Sequence, residues 1–170
     1  MDAVEFNSKI LSLTDRLYRF AKSILRNQEA AEDAVQELNL KLWEKRHQLD
    51  GIENFQAFTM RSMRNLCLDS LRLKKDQMEI PTDIMYDAPN PHQQTEAGDM
   101  AGRVMNMINK LPELQRTIIR MRDVEGMEIG EIASVTQLNE NAVSVNLSRA
   151  RQKIREQILK EHKRVEENIW

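Results

Sequence analysis

Two arginines and an asparagine recur at helical spacing in the first half of the chain. Arg61, Asn65 and Arg72 occupy positions i, i+4 and i+11 of a stretch rich in helix formers, with Leu68 among them and Arg64 beside them. Guanidinium groups bind phosphates, and an amide can pair with a base edge. The pattern predicts a nucleic-acid-binding face, with a solvated basic face as the alternative.

A loop is predicted immediately before this helix. The stretch HQLDGIENF, residues 47–55, contains Gly51 and lacks helical periodicity. The backbone and side chains of such a loop could surround a base that has left its stack. Loop and helix together would then form one nucleic-acid site.

A second candidate surface combines acidic residues with a leucine. It lies on a predicted helix that follows Asn27, a residue type that caps helix N-termini. The inward face of this helix takes Ala31, Ala34, Val35, Leu38 and Leu42, and the opposite face carries Asp33, Gln36, Glu37, Leu40 and Glu44, with Trp43 at its edge. Leu40 among carboxylates favours a protein-docking surface, and an ordinary polar face with one exposed leucine is the alternative.

The segment from residue 128 to residue 158 has the spacing of a helix-turn-helix motif. A short helix from about Glu128 to Val135 and a four-residue turn precede a long helix, and Ala133 stands ten residues before Val143. A small residue at that point lets the two helices cross closely. The apolar stripe of the long helix consists of Val143, Leu147, Ala150, Ile154 and Ile158.

In helix-turn-helix proteins the start of the second helix enters the major groove of DNA. The residues predicted to face bases are Glu140, Asn141, Ser144, Val145, Asn146, Ser148 and Arg149, and those predicted to bind phosphates are Arg151, Lys153 and Arg155. Similar three-helix units also serve as protein-interaction modules. The pattern alone leaves that alternative open.

The overall charge is distributed unevenly. The net charge of the 170 residues is −2, which argues against a generic polyanion binder. Residues 1–75 carry +2, residues 76–99 carry −6, and residues 100–170 carry +2. The basic charge of the two outer segments is therefore diluted by an acidic middle.

Composition and motifs exclude several classes of protein. No apolar run reaches the roughly 18 residues that cross a bilayer, and the N-terminus lacks a signal-peptide pattern, so a cytoplasmic protein is expected. Cys67 is the single cysteine, which excludes an internal disulfide and Cys-rich zinc sites. The three histidines lie in unrelated segments, and no nucleotide-binding or nucleophile motif appears. We expect no enzymatic activity, no cofactor, no metal site and no small-molecule substrate.

Helical periodicity and proline placement predict an all-α chain of two small helical domains. The first, residues 1–75, takes helices from about Val4 to Arg26, from Asn27 to Arg46 and from Asn54 to Lys74. Residues 76–99 hold three of the four prolines and no Lys or Arg, which predicts a flexible acidic linker. The second domain, residues 100–170, takes helices from about Met100 to Lys110 and from Glu113 to Asp123 before the helix-turn-helix.

Four motifs, in this order and with these separations, resemble those of bacterial RNA polymerase sigma factors of the extracytoplasmic-function (ECF) group. They are AEDAVQELNLKLW (31–43), MRNLCLDSLR (63–72), LPELQRTIIRMRDVEGMEIGEIA (111–133) and NLSRARQKIRE (146–156). The resemblance covers almost the whole chain. It implies a transcription initiation factor that binds core RNA polymerase and directs it to promoter DNA.

The resemblance also implies roles for the surfaces above. The first domain is similar to sigma region two, whose acidic helix docks on a coiled coil of the largest polymerase subunit, here through Asp33, Gln36, Glu37, Leu40 and Trp43. Its loop and third helix would melt and read the minus-ten element through Lys45, Leu49, Asp50, Asn54, Arg61, Arg64, Asn65 and Arg72. The second domain is similar to region four, which binds the minus-thirty-five element and the polymerase flap.

The resemblance also implies a role for the linker and one further partner. The linker is similar to the segment that threads towards the polymerase active-site channel, and its −6 charge fits a nucleic-acid mimic there. An anti-sigma factor, in this family often membrane-bound, is expected to hold the protein inactive. The remaining alternatives are a free-standing helix-turn-helix regulator and a helical protein-interaction adaptor.

The chain departs from the family pattern at three places. Phe58 stands where a tryptophan is frequent, and Gln137 stands where glycine usually makes the helix-turn-helix turn, which predicts a different turn conformation. The basic-Ser-basic run of the recognition helix is replaced by Ser144, Val145 and Asn146. Base specificity at the minus-thirty-five element would depend on these three residues.

Overall fold

The computed structural model describes residues 1–77 and 96–167, and every regular element in these two ranges is a helix. The chain divides into two compact units. One is built from the helices of residues 1–77 and the other chiefly from those of residues 96–167. The all-α prediction with two helical domains is confirmed.

Within residues 1–77, three α-helices form the first domain. They are α1 (Ala3–Leu25), α2 (Gln28–Glu44) and α3 (Phe55–Gln77), with one 3-10 turn at Arg46–Gln48. Helix α1 packs on both others, and α2 also packs on α3. Fully buried side chains come from all three helices: Leu17 and Ala21, Ala31, and Met60, Met63 and Cys67. Because each helix buries one face here, its outer face has a fixed orientation.

Side-chain caps fix where these helices begin. Asp2, Asn27 and Asn54 each accept a hydrogen bond from the backbone N–H three residues later, at 2.8 Å in every case. Such a cap satisfies one of the N–H groups that the first helical turn leaves unpaired. The predicted cap at Asn27 is confirmed.

Four α-helices lie within residues 96–167. They are α4 (Glu96–Asn109), α5 (Glu113–Ile119), α6 (Ile129–Thr136) and α7 (Glu140–Glu167). The predicted apolar stripe of α7 is buried at Val143, Leu147, Ala150 and Ile154, while Ile158 is half-buried. Helix α7 packs on α5 and α4. The stripe therefore faces the core of this domain, as its spacing predicts.

The two helices that flank the predicted linker are longer than predicted. Helix α3 continues to Gln77 and α4 begins at Glu96, so both helices extend into the predicted linker. The prediction of a flexible linker falls on residues 78–95, which lie outside the described residues.

The predicted helix from Glu113 to Asp123 also changes character before it ends. Its last turn, Arg120–Val124, is a π-helix in which the N–H of Glu125 donates to the carbonyl of Arg120 at 2.9 Å. The chain then reverses at Gly126, whose φ is +69°, a conformation that glycine adopts without steric cost. The widened helix end is not visible in sequence periodicity.

The turn of the helix-turn-helix corrects one prediction. Gln137 has a φ of +60°, so it adopts the left-handed conformation that glycine usually provides. The N–H of Leu138 donates to the carbonyl of Ala133 at 3.2 Å, closing the six-residue turn that ends α6. The prediction of a different turn conformation was therefore wrong. The hydrogen bond and the flanking helices impose the usual geometry on glutamine.

Replacing Gln137 with glycine is expected to raise the free energy of unfolding of the second domain by up to about 1 kcal/mol. The left-handed conformation costs an L-residue roughly 1–2 kcal/mol, and the freedom of glycine in the unfolded chain offsets part of that gain. Chemical denaturation followed by circular dichroism measures the change. The control is Ser134→Gly, an exposed position within α6 where glycine lowers helix stability. Equal losses in both variants would contradict the prediction.

Candidate nucleic-acid interface

The outer face of α3 carries the predicted basic residues. Asn65 and Arg72 are exposed, and Arg61 and Arg64 are half-buried. Arg72 also lies 3.8 Å from the carboxylate of Asp69, one turn earlier on the same exposed face. The opposite face is buried in the domain core, so the helix presents guanidinium and amide groups to solvent together. This geometry suits contacts to phosphates and base edges.

The loop between α2 and α3 is built differently from the prediction. Leu49 is only 5% exposed, so its side chain packs in the domain instead of facing a nucleic acid. Asn54 caps α3 through the N–H of Ala57. Leu49 therefore has a structural role and is withdrawn from the DNA-facing set because burial removes it from reach, whereas Asn54 caps α3 and remains exposed.

Asp50 and Gly51 occupy the exposed tip of that loop. The carboxylate of Asp50 accepts a hydrogen bond from the amino group of Met1. This bond lowers the pKa of Asp50 below its ordinary value, so the residue is ionised at neutral pH. Gly51 has a φ of +84°, which the reversal of the chain at this point requires.

Trp43 lies in an aromatic and cationic cluster at the end of α2. The rings of Trp43 and Phe6 meet edge to face with centroids 5.4 Å apart. The guanidinium of Arg46 lies 4.2 Å from the centre of the indole and donates to the backbone carbonyl of Trp43 at 3.1 Å. The sequence prediction missed Phe6 and Arg46, although an arginine three residues after a tryptophan was a local signal. Trp43 is therefore half-buried and held in one orientation.

The acidic face of α2 is exposed as predicted. Asp33, Gln36 and Glu37 are exposed, and Leu40 is 60% exposed among them. Glu37 forms an ion pair with Lys41 at 2.6 Å on the same helix. The five inward residues predicted for this helix are all buried. An apolar side chain at the centre of a polar face is the usual anatomy of a protein-docking surface.

The start of α7 presents the residues predicted to face bases. Ser144, Val145, Ser148 and Arg149 are exposed. Asn146 is half-buried, and its amide donates to the carbonyl of Ala142 at 2.9 Å. Glu140 and Asn141 in the first turn are exposed.

A cap that the sequence prediction missed begins this helix. The side chain of Asn139 accepts a hydrogen bond from the N–H of Ala142 at 2.7 Å. An asparagine directly before a helical pattern is the signal that could have identified it. The first turn of α7, where backbone N–H groups favour anions, is thereby fixed in place.

Two residues predicted to bind phosphates make contacts with α5 and its π-helical end. The Arg151 guanidinium donates two hydrogen bonds to the Asp123 carboxylate, at 3.0 and 2.5 Å, and these bonds raise the pKa of Arg151. Lys153 donates from Nζ to the side chain of Gln115 at 3.0 Å. Both residues are nevertheless exposed.

The single cysteine, Cys67, is buried in the core of the first domain. Burial raises the pKa of the Cys67 thiol to about 12, so it is protonated at neutral pH and packs as an apolar side chain. Within residues 1–77 and 96–167, no three His, Cys, Asp or Glu side chains lie together as metal ligands would. In the same ranges, no helix is long and apolar enough to cross a membrane.

Comparison with known proteins places both domains in one family. The family model for Sigma-70 region 2 matches residues 10–76, and that for Sigma-70, region 4 matches residues 101–154. The ECF RNA polymerase sigma factor SigW of Bacillus subtilis is 23% identical over 85% of this chain and 83% of its own length. The ECF sigma factor SigE of Mycolicibacterium smegmatis is 28% identical over 86% of this chain and 58% of its own length. The chain belongs to the ECF-type RNA polymerase sigma factors. It is therefore a transcription initiation factor that directs RNA polymerase to promoters.

Solved structures agree with this fold. The sigma factor RpoE of Bartonella quintana, solved with the anti-sigma factor NepR, matches with a TM-score of 0.69 and 22% identity, over 89% of this sigma factor and 95% of that chain. CnrH, solved with the cytosolic domain of CnrY, matches with a TM-score of 0.68 and 22% identity, over 92% and 89% of the two chains. The helical fold is thus shared with both of these solved chains.

Proposed function

We propose that three helical faces of this sigma factor each bind a different partner or promoter element. The acidic face of α2 binds core polymerase, the outer face of α3 reads the minus-ten element, and the start of α7 reads the minus-thirty-five element. The observation that carries the proposal is that α2 and α3 each bury one face in a shared core and expose the residues in question. One rigid domain would then hold polymerase and melted DNA at the same time.

Leu40 is the proposed centre of the polymerase contact. It is the apolar member of a face whose other members, Asp33, Gln36 and Glu37, are polar or acidic and exposed. Trp43, fixed by Phe6 and Arg46, forms the edge of this face. Buried apolar anchors surrounded by polar groups carry most of the energy of protein interfaces. The partner surface is accordingly basic with an apolar pocket.

The minus-ten contact rests on Arg61, Arg64, Asn65 and Arg72, with Lys45, Asp50 and Asn54 at the adjacent loop. The protein needs no catalytic activity for melting. Stacking an unpaired base on a protein contributes on the order of 1–3 kcal/mol, comparable with the few kcal/mol needed to unstack it. Binding energy alone would then hold the bases apart.

The minus-thirty-five contact rests on the exposed start of α7. Ser144, Val145 and Ser148 would meet base edges, with Arg149 at a base or phosphate and Glu140, Asn141 and Asn146 at the margin. Small polar side chains allow the helix backbone to approach the groove floor. Each domain carries a net charge of only about +2, so few counterions are released and DNA binding without polymerase is weak at physiological salt and strengthens at low salt.

An anti-sigma factor is the proposed regulator, and the cytoplasm is the proposed compartment. The similar sigma factor RpoE was solved with NepR, described as an anti-sigma factor, and the similar chain CnrH was solved with the cytosolic domain of CnrY. The exposed acidic face of α2 is the surface such a partner would cover, because covering it would exclude polymerase.

Run-off transcription with core polymerase on a randomised promoter library tests the function as a whole. The expected result is selection of templates that share two short elements, one for each DNA-binding domain. Core polymerase alone on the same library is the control. If the added chain enriches no template over that control, the proposed function is wrong.

Replacing Leu40 with alanine is expected to weaken binding to core polymerase about 30-fold, because a central interface anchor contributes roughly 2 kcal/mol. Biolayer interferometry with immobilised core enzyme and the full chain measures this affinity. Leu11→Ala is the matched control, since Leu11 is a leucine of α1 that is 74% exposed. Equal affinity of the Leu40→Ala and Leu11→Ala variants would remove Leu40 from the interface.

A further inference from the structure

The ion pair between Asp123 and Arg151 joins the π-helical end of α5 to the middle of the recognition helix α7. The two residues are 28 positions apart, and the guanidinium meets the carboxylate through two parallel hydrogen bonds. A bidentate pair of this kind fixes both distance and angle. The side chains are 48% and 36% exposed, so the pair lies at the rim of the domain and not in its core.

The position of Arg151 around α7 differs from that of Arg149. At 100° per residue, Arg149 lies about 130° from the middle of the buried stripe, and Arg151 lies only about 70° from it. Lys153, which donates to Gln115 of α5, lies about 90° away on the other flank of the stripe. Helix α5 and its extension therefore hold α7 on both sides of the buried stripe, while Arg149 projects away from the domain.

We propose that Arg151 is a positioning residue, which locks the angle of the recognition helix through Asp123 instead of binding a DNA phosphate. The inference refines the proposed minus-thirty-five function and rests on it. The π-helical turn has a part in this arrangement, because it supplies Asp123 at the end of α5. The raised pKa of Arg151 agrees with a guanidinium whose charge is already paired. Ser144 to Arg149 then form the surface that meets DNA.

Binding of the full chain to a fluorescein-labelled duplex of random sequence, measured by anisotropy across a salt series, tests this role. The expected result is that Asp123→Asn and Arg151→Gln each weaken binding about two- to fivefold, and that the double variant is no weaker than either single one. The slope of log affinity against log salt stays unchanged in all three, because no phosphate contact is lost. Asp123→Glu, which retains the carboxylate, is expected to bind like the unaltered protein.

Two controls separate positioning from charge. Glu156→Gln neutralises an exposed acid of α7 that does not contact Arg151, so it reports the general effect of removing a negative charge. Arg149→Gln is expected to reduce the salt slope by about 0.9, the value for one lost phosphate contact.

Opposite results overturn the inference. If Arg151 is a phosphate ligand, Asp123→Asn releases it and tightens binding more than Glu156→Gln does, and Arg151→Gln reduces the salt slope as Arg149→Gln does. Failure of the proposed function has another signature, because a chain that uses no DNA would leave the duplex unbound in every variant at low salt. That outcome removes the minus-thirty-five role and the positioning role together.

Discussion

Replacing Arg61 and Asn65 together with alanine is expected to reduce promoter-dependent transcription by the holoenzyme about a thousandfold. The two side chains lie one turn apart on the outer face of α3. A good contact between a side chain and a base contributes about 1–3 kcal/mol, so two contacts of about 2 kcal/mol each give this factor. The measurement is run-off transcription on a template selected with the unaltered protein.

The control for this variant removes a cation and an amide from a different helix, α1. Lys22 and Asn7 are exposed on α1, and their double alanine variant also loses one cation and one amide. It is expected to transcribe like the unaltered protein. Loss of activity in both double variants would indicate a general charge effect and not base recognition. Binding to core polymerase should stay unchanged in both, because neither pair lies on the acidic face of α2.

The second large effect concerns the core of the first domain. Replacing Leu17 with alanine is expected to lower the free energy of unfolding of this domain by about 3–4 kcal/mol. Leu17 is 0% exposed in α1, which packs on both α2 and α3, so alanine leaves a cavity that the surrounding helices can only partly fill. A domain of this size has little stability to lose, and part of the population should be unfolded at 37 °C.

Urea denaturation monitored by circular dichroism measures this loss. Leu11→Ala, six residues away on the exposed side of the same helix, is the control and should change stability by less than about 0.5 kcal/mol. A similar midpoint for both variants would show that Leu17 is not part of a tightly packed core. Because α1 supports both functional helices, transcription by the Leu17→Ala variant should fall with temperature in parallel with its unfolding.

Local patterns predicted the helix faces correctly. The inward residues of α2 and the buried stripe of α7 follow from apolar side chains repeating at three and four residues, which only one face of a helix can gather. The cap at Asn27 followed from residue type and position, since it depends on a hydrogen bond to a backbone group three residues away. Such features need no information from distant parts of the chain.

Individual functional residues were predicted less well where loops and helix ends were involved. Leu49 was assigned to DNA because of its position in a family motif, yet the turn that follows α2 directs it into the core. Gln137 was expected to change the helix-turn-helix turn, yet the closing hydrogen bond from Leu138 to Ala133 holds it in the left-handed conformation. The left-handed conformation costs an L-residue roughly 1–2 kcal/mol, so at Gln137 the tertiary structure outweighs this local preference.

The sequence by itself determined that the chain is helical, which residues share each face, and the family whose motifs those faces carry. Only the tertiary structure decided which polar residues on these faces already form contacts within the protein. Arg151 looked like a phosphate ligand in a basic stretch, and it meets Asp123 because α5 ends in a wide π-turn against α7. Contacts between residues far apart in the chain depend on how the helices pack, so they cannot be predicted from the periodicity of one helix.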